Sequence, residues 1–233
     1  GRTMKDLAAS GLLSKPMAAA CAFAAGLPAV CWGIPFDQDG VILAAGEPAK
    51  VAIQPCSARW LAFLHTADFR PLEEDEHGFF SPMAGEGRLA EALAAYVLLY
   101  EDGCEERVII RGRHQIGAYI HRWGELCFQA VPSRKPYPLR ASHEQTSPSW
   151  GQSQMRVNGN VQRTWDEWVW AWQNPRPEVK IVGLRVEPLG GAVVIRGITA
   201  GDIDENALRW RARRKALLRL PPKRSRERSP VFC

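Results

Sequence analysis

Four tryptophans stand close together, at Trp165, Trp168, Trp170 and Trp172. In an extended strand alternate side chains share a face, so Trp168, Trp170 and Trp172 would set three indoles in line. Such a row is a flat apolar platform with an N–H at each edge, suited to stacking a sugar ring or a terpene ring. It is equally suited to the interior of a β-sandwich, where buried aromatics are ordinary. Trp165, Trp168 and Trp172 also fit helical spacing. A second candidate surface lies in residues 117–125. In an extended segment Tyr119, His121 and Trp123 share a face. His121, Arg122 and Glu125 carry groups for hydrogen bonding a ligand hydroxyl, and His121 and Glu125 for acid–base chemistry. A plain strand end followed by a turn at Gly124 accounts for the same residues. The ligand-binding set is therefore Trp168, Trp170, Trp172, Tyr119, His121, Trp123 and Glu125, with no catalytic residue assigned.

Other clusters carry less. The run Glu73-Glu74-Asp75-Glu76-His77 sits between Pro71 and Gly78. Glycoside hydrolysis needs two carboxylates facing each other from separate elements, so a consecutive acidic run reads as a solvated loop. It also lacks the spaced ligands and turn glycine of an EF-hand loop. His65 and Asp68 lie three apart, His143 adjoins Glu144, and His114 and His121 lie seven apart. None of these makes the two-His, one-carboxylate set of a non-haem iron site, and no metal site is expected. The chain has no dinucleotide glycine fingerprint after a strand, no phosphate loop, no evident haem-thiolate cysteine and no Gly-x-Ser-x-Gly elbow.

The elements that would position these residues are short, β-branched or aromatic runs bounded by Gly, Pro or Asp. Strands are expected over 41–44, 50–54 and 59–65, the third with Trp60, Ala62 and Leu64 on one face and Leu61, Phe63 and His65 on the other. Residues 95–100 and 105–111 flank Asp102-Gly103, whose positive φ would suit a tight primed turn. A strand is also expected over 114–120. Residues 179–187 alternate, and Gly190-Gly191 would turn them into 192–198 as a second hairpin. Helix is expected only over 88–94 and in a basic stretch from 206 that stops at Pro221-Pro222. Residues 133–160, with Pro136, Pro138 and Pro148, read as a long surface loop or lid. About nine short strands imply an all-β, jelly-roll-like sandwich. The expected division is an N-terminal segment (1–29), a sandwich (30–205) and a basic tail (206–233).

The 233 residues are enough to bury a sizeable core, and 46% of them are apolar. The net charge of +5 is carried by the tail. Residues 209–233 hold ten basic side chains and one acidic, Glu227, which leaves −4 for residues 1–208. A mildly acidic body argues against nucleic acid as its partner. No stretch reaches the ~18–20 apolar residues of a membrane helix. Residues 17–30 are Ala-rich and follow Arg2, Lys5 and Lys15, as in a signal peptide, but Pro16 and Pro28 bracket them and no cleavage pattern follows. The six cysteines are scattered and without metal-ligand spacing, which suits buried free thiols and a reducing cytoplasm. The break in composition near 206 is what a linker to a missing domain, or an end foreign to the parent protein, would show.

Trp32-Gly33-Ile34-Pro35-Phe36, Phe63-Leu64-His65-Thr66, residues 96–103 and Ile116-Gly117-Ala118-Tyr119 form an ordered series. Over roughly 30–200 it resembles the galactose-binding-like β-sandwich domains of bacterial glycoside-hydrolase-related proteins. That resemblance implies sugar binding or a structural role within a larger protein. The chain is also similar to the limonene hydroxylases of thermophilic bacilli. This second resemblance implies monooxygenation of limonene to perillyl alcohol and carveol, with a nicotinamide electron donor and an oxygen-activating centre. The partner expected from the residues is a small ring-shaped molecule, terpene or sugar.

Overall fold

The computed structural model describes residues 2–24, 27, 29–37, 40–69, 77, 90–120, 126–134, 140–142, 156–158 and 164–208. In chain order these contain helices α1 (Met4–Ala9) and α2 (Lys15–Ala20), and strands β1 (Val30–Cys31), β2 (Ile34–Pro35), β3 (Ile42–Ala44), β4 (Ala49–Cys56), β5 (Trp60–Asp68), β6 (Ala92–Tyr100) and β7 (Glu105–Arg111). The strands continue with β8 (Ala130–Pro132), β9 (Arg140–Ser142), β10 (Arg156–Asn158), β11 (Trp168–Gln173), β12 (Ile181–Pro188) and β13 (Ala192–Gly201). Two antiparallel sheets, β3-β13-β5-β11-β8 and β4-β12-β6-β7, pack face to face as a sandwich. β1 pairs with β2, and β9 with β10, outside those sheets.

Alternation along β5 sorts its side chains. Leu61, Phe63 and Ala67 enter the inter-sheet core with Leu93, Tyr96, Leu98, Ile110 and Leu184, while Ala62 and Leu64 face outward. The outward face of the five-stranded sheet is itself covered. Leu7 of α1 and Met17 and Ala20 of α2 pack on Leu43, Ala192 and Val194, together with Tyr119 and Trp165. Cys31 of β1 and Phe36, just after β2, cover Ala62, Leu64 and Val169. Gly197 permits this approach, because a Cβ there would lie 2.9 Å from Cβ of Phe36.

Several sequence expectations are corrected. Residues 90–94 are not helical: Ala90 has φ +62°, and Ala92–Ala94 open β6, paired with β7. Leu93 and Ala94 are fully buried between the sheets, a position that outweighs their helix propensity. The described helices are instead at the N-terminus. Thr3 and Asp6 form a reciprocal capping box on α1, and Ser14 caps α2 with Pro16 in its first turn. Residues 114–120 are not a strand: Arg113 has φ +61°, and the stretch makes only single bridges, Gly112 to Ile116 and Ala67 to Ala118.

The turn between β6 and β7 is not primed. Gly103 has φ +82° while Asp102 does not take positive φ, and the Gly103 N–H donates to the Tyr100 carbonyl. This is a type I turn closed by a glycine bulge. The described primed turn is Trp32-Gly33 (φ +55° and +83°) between β1 and β2. β12 and β13 are not a hairpin, since they belong to different sheets. Neither Gly190 nor Gly191 has positive φ, and the N–H groups of Leu189 and Gly190 both donate to Leu93 O, which carries the chain across from one sheet to the other. The basic stretch beyond 208, the greater part of the 133–160 loop and the acidic run 73–76 lie outside the described residues.

Candidate functional site

β11 is a strand, and its ladder with β5 pairs Trp168 with His65, Trp170 with Phe63 and Trp172 with Leu61. Trp168, Trp170 and Trp172 therefore share one face, and that face is the inter-sheet core. They are 1%, 5% and 8% exposed, so the three indoles are not an open platform. Trp168 is the most enclosed. Its Nε1–H donates to the Ala118 carbonyl (2.9 Å), and its ring lies over Gly117, where a Cβ would come within 2.1 Å of the indole.

Trp170 is held by rings. His65 stacks on it at 6.2 Å with 4° between planes, and Phe63 at 5.5 Å with 25°. His65 is fully buried, and its Nε2 lies 3.0 Å from the Gln115 carbonyl. A carbonyl can only accept, so Nε2 carries the proton. Nδ1 then accepts from the Tyr96 hydroxyl at 2.7 Å. Burial pushes the imidazole pKa down to about 3, against a weaker opposing pull from the Gln115 hydrogen bond.

The second candidate surface is divided. Tyr119 is buried against Trp165, ring centres 6.0 Å apart, in the cluster beneath the N-terminal helices, and does not share a site with Trp170. His121, Arg122, Trp123 and Glu125 lie outside the described residues. His114 packs on Phe128 at 4.9 Å, and Asp68 accepts from Ser14 N–H and Oγ–H. Among the described residues no group of three or more His, Cys, Asp or Glu side chains converges as a metal site would require, and no disulfide joins the five described cysteines.

Trp170 and Trp172 do reach a cleft, for a reason legible in the backbone. β8 pairs with β11 only along Trp168–Trp170. Just before β8, the N–H groups of Phe128 and Gln129 donate to the carbonyls of Arg113 and His114, drawing the chain away. Beyond the Trp170–Ala130 pair, the edge of β11 has no paired strand among the described residues. Strand geometry fixes which groups face the gap. The Asn174 N–H bonds Arg59 on the β5 side, while the Glu167 carbonyl accepts from Ser133 on the β8 side. Residues of odd number therefore direct both backbone groups to the β8 side, and those of Ala171 and Gln173 face the cleft.

The cleft encloses about 670 Å³. Trp60, Trp170, Trp172 and Phe128 supply its aromatic surface, and Gln129, Gln173, Asn206 and Asp204 its polar groups. Trp60 is fixed by its Nε1–H on the Ile203 carbonyl (2.9 Å), and Phe128 is 72% exposed. Arg59 ties the rim, its guanidinium meeting Asp202 at 3.2 Å and Asp204 at 2.5 Å. The sequence marked two of these aromatics but not the cleft, because the opening is created by where β8 begins. The chain matches no protein-family model, no curated protein and no solved structure.

Proposed function

We propose that this chain is a binding domain that stacks a sugar ring in the cleft at the open edge of β11. The observation that carries the reading is an aromatic wall and a hydroxyl-binding rim in one cavity of about 670 Å³, within the ~300–1,000 Å³ range of small-ligand sites. Phe128 offers an exposed ring face, with the edges of Trp60, Trp170 and Trp172 behind it. Gln129, Gln173, Asn206, Asp204 and the backbone groups of Ala171 and Gln173 offer paired donors and acceptors. A terpene hydrocarbon would leave those groups unpaired, at roughly 1–3 kcal/mol for each one buried. His121, Trp123 and Glu125 remain part of the binding proposal by sequence alone. The same reading takes the sandwich to be of the jelly-roll, galactose-binding-like kind, supported by its five-plus-four antiparallel sheets, and places it in a reducing cytoplasm, supported by the free thiols.

A terpene reading has its own observation. An apolar cleft of about 550 Å³ between β3, β13 and β4 is lined by Ile42, Val51, Ile53, Leu61 and Ile198. Hydroxylation there would require an oxygen-activating centre, and the described residues bring together no donor set for one, so no step is derived through it.

Titration calorimetry with glucose, galactose, their oligosaccharides and detergent-dispersed limonene tests both readings. Binding of a sugar that weakens about tenfold in Phe128→Ala and in Gln173→Ala, with unchanged melting, is the expected result. Limonene binding abolished by Ile53→Asp, with no sugar heat at all, would replace the sugar reading with the terpene one.

A further inference from the structure

Trp170 lines the cleft and is only 5% exposed, so most of its indole lies among buried rings. His65 lies parallel to it. Tyr96 stands edge-on to it at 6.4 Å between ring centres, and Phe63 packs on both, 5.5 Å from Trp170 and 5.0 Å from Tyr96. An oxidisable indole at a cleft is thereby packed against an oxidisable phenol that is fully buried. The phenol also has its own base. Its hydroxyl donates to His65 Nδ1 at 2.7 Å. The Gln115 carbonyl, 3.0 Å from Nε2, holds the ring in the tautomer that leaves Nδ1 as the acceptor. Burial keeps that imidazole neutral down to about pH 3, so Nδ1 is unprotonated throughout the neutral range.

We propose that Trp170, Tyr96 and His65 form a one-electron relay, by which a small one-electron oxidant in the cleft is reduced at the expense of Tyr96. The oxidant takes one electron from the Trp170 indole and leaves a tryptophan radical cation. Tyr96 returns one electron to Trp170 while its hydroxyl proton passes to His65 Nδ1, so the O–H bond breaks and an N–H bond forms. The products are the reduced oxidant, neutral Trp170, a neutral Tyr96 radical and a His65 imidazolium. The second step runs downhill because an oxidised phenol is a strong acid, for which even a buried imidazole is base enough. The phenoxyl radical left behind is a weaker oxidant than a tryptophan radical cation. The hydrogen bonds also select the tyrosine. Tyr100 packs in the same core but donates to the amide oxygen of Asn174, which does not take up a proton. The relay operates whether or not a sugar binds in the cleft.

Flash photolysis of the full chain with tris(bipyridine)ruthenium(II) and an irreversible quencher tests this, the photogenerated ruthenium(III) complex being the oxidant. In the parent protein the broad visible absorption of a tryptophan radical should decay as the sharp near-ultraviolet band of a neutral tyrosyl radical rises. Tyr96→Phe, which preserves the packing, should remove that rising component and leave the tryptophan radical long-lived. His65→Gln, which keeps an acceptor but removes the base, should do the same, and Trp170→Phe should cut the link to the cleft. A rising tyrosyl component that is unchanged in any of the three variants overturns the proposal, as does its absence from the parent. High-field electron paramagnetic resonance of the parent needs no variant, and so decides the matter even should His65→Gln fail to fold. The tyrosyl g-values should report a hydrogen bond from a cationic donor, and those of an isolated phenoxyl radical overturn the relay.

Discussion

Glu167, just before β11, and Arg196 of β13 meet where both are buried. The guanidinium donates from Nε and an Nη to the two carboxylate oxygens at 2.5 and 2.6 Å, and Trp165 Nε1–H adds a third donor at 3.1 Å. Removing one partner strands a buried charge. Arg196→Met should cost about 3–5 kcal/mol in urea unfolding, and adding Glu167→Gln, which keeps an acceptor for Trp165, should recover most of that loss. His65 supplies a second residue-level expectation. Its folded pKa of about 3 lies below the ordinary 6.5, so the unfolded chain takes up the proton first as pH falls. The stabilisation is complete above pH 6.5 and declines between 6.5 and 3, by up to about 1.4 kcal/mol per pH unit. His65→Gln should flatten that part of the stability–pH curve, and an unchanged slope would assign the acid sensitivity elsewhere. Neither partnership was legible in the sequence. His65 was readable as sharing a strand face with Leu61 and Phe63, but Tyr96, Gln115 and Trp170 reach it from distant segments.

Element by element, turn residues were more informative than the period. β5 and the β6–β7 pair were legible as apolar runs bounded by turn residues, although β5 and most of β6 are buried on both faces. β6 defeats a helical interpretation of its start because its Ala-rich opening is buried on both sides, which removes the contrast on which a period depends. The separation of β12 from β13 was not legible, since Gly190-Gly191 suits a hairpin and a crossing between sheets equally well until the dihedrals are known. The N-terminal helices were missed, although Thr3-x-x-Asp6 and Ser14 with Pro16 form capping signatures that the apolar pattern does not carry. Thr3→Ala should cost α1 about 1 kcal/mol, visible in thermal melts. Gly117→Ala tests the packing of β11 on the 112–120 segment. The new Cβ would fall 2.1 Å from the Trp168 ring, so the indole must shift and lose its bond to Ala118, a destabilisation of about 1–3 kcal/mol or more. Near-ultraviolet dichroism from Trp168 should weaken in parallel.

For the whole molecule, composition separated a mildly acidic body from a basic end, and the structure adds that the five-stranded sheet is buried on both faces. α1 and α2 close the outward side through Leu7, Met17 and Ala20, so they act as part of the core. Leu7→Ala should therefore cost the entire fold about 2–5 kcal/mol and increase dye binding to exposed apolar surface. A variant that frays α1 alone, with the unfolding midpoint unchanged, would show the helices to be an appendage. The cleft was half legible: Trp170 and Trp172 stood out as residues, but the gap beside them depends on Phe128 and Gln129 bonding to Arg113 and His114, a long-range choice that no local pattern encodes.

The position of β13 also bears on how the protein is made. It is the last of the described strands, yet it lies between β3 and β5, two of the earlier ones. A ribosome that has released residues 1–190 has delivered both neighbours and not the strand that joins them. Each presents an unsatisfied flank, as matching β-surfaces do when they aggregate. Closure of the sheet must wait for residues 192–201 to clear the exit tunnel, so the sandwich cannot complete progressively as its earlier strands emerge. Nascent chains arrested before residue 192 should be degraded rapidly by added protease, while those arrested with residue 208 outside the tunnel should resist it.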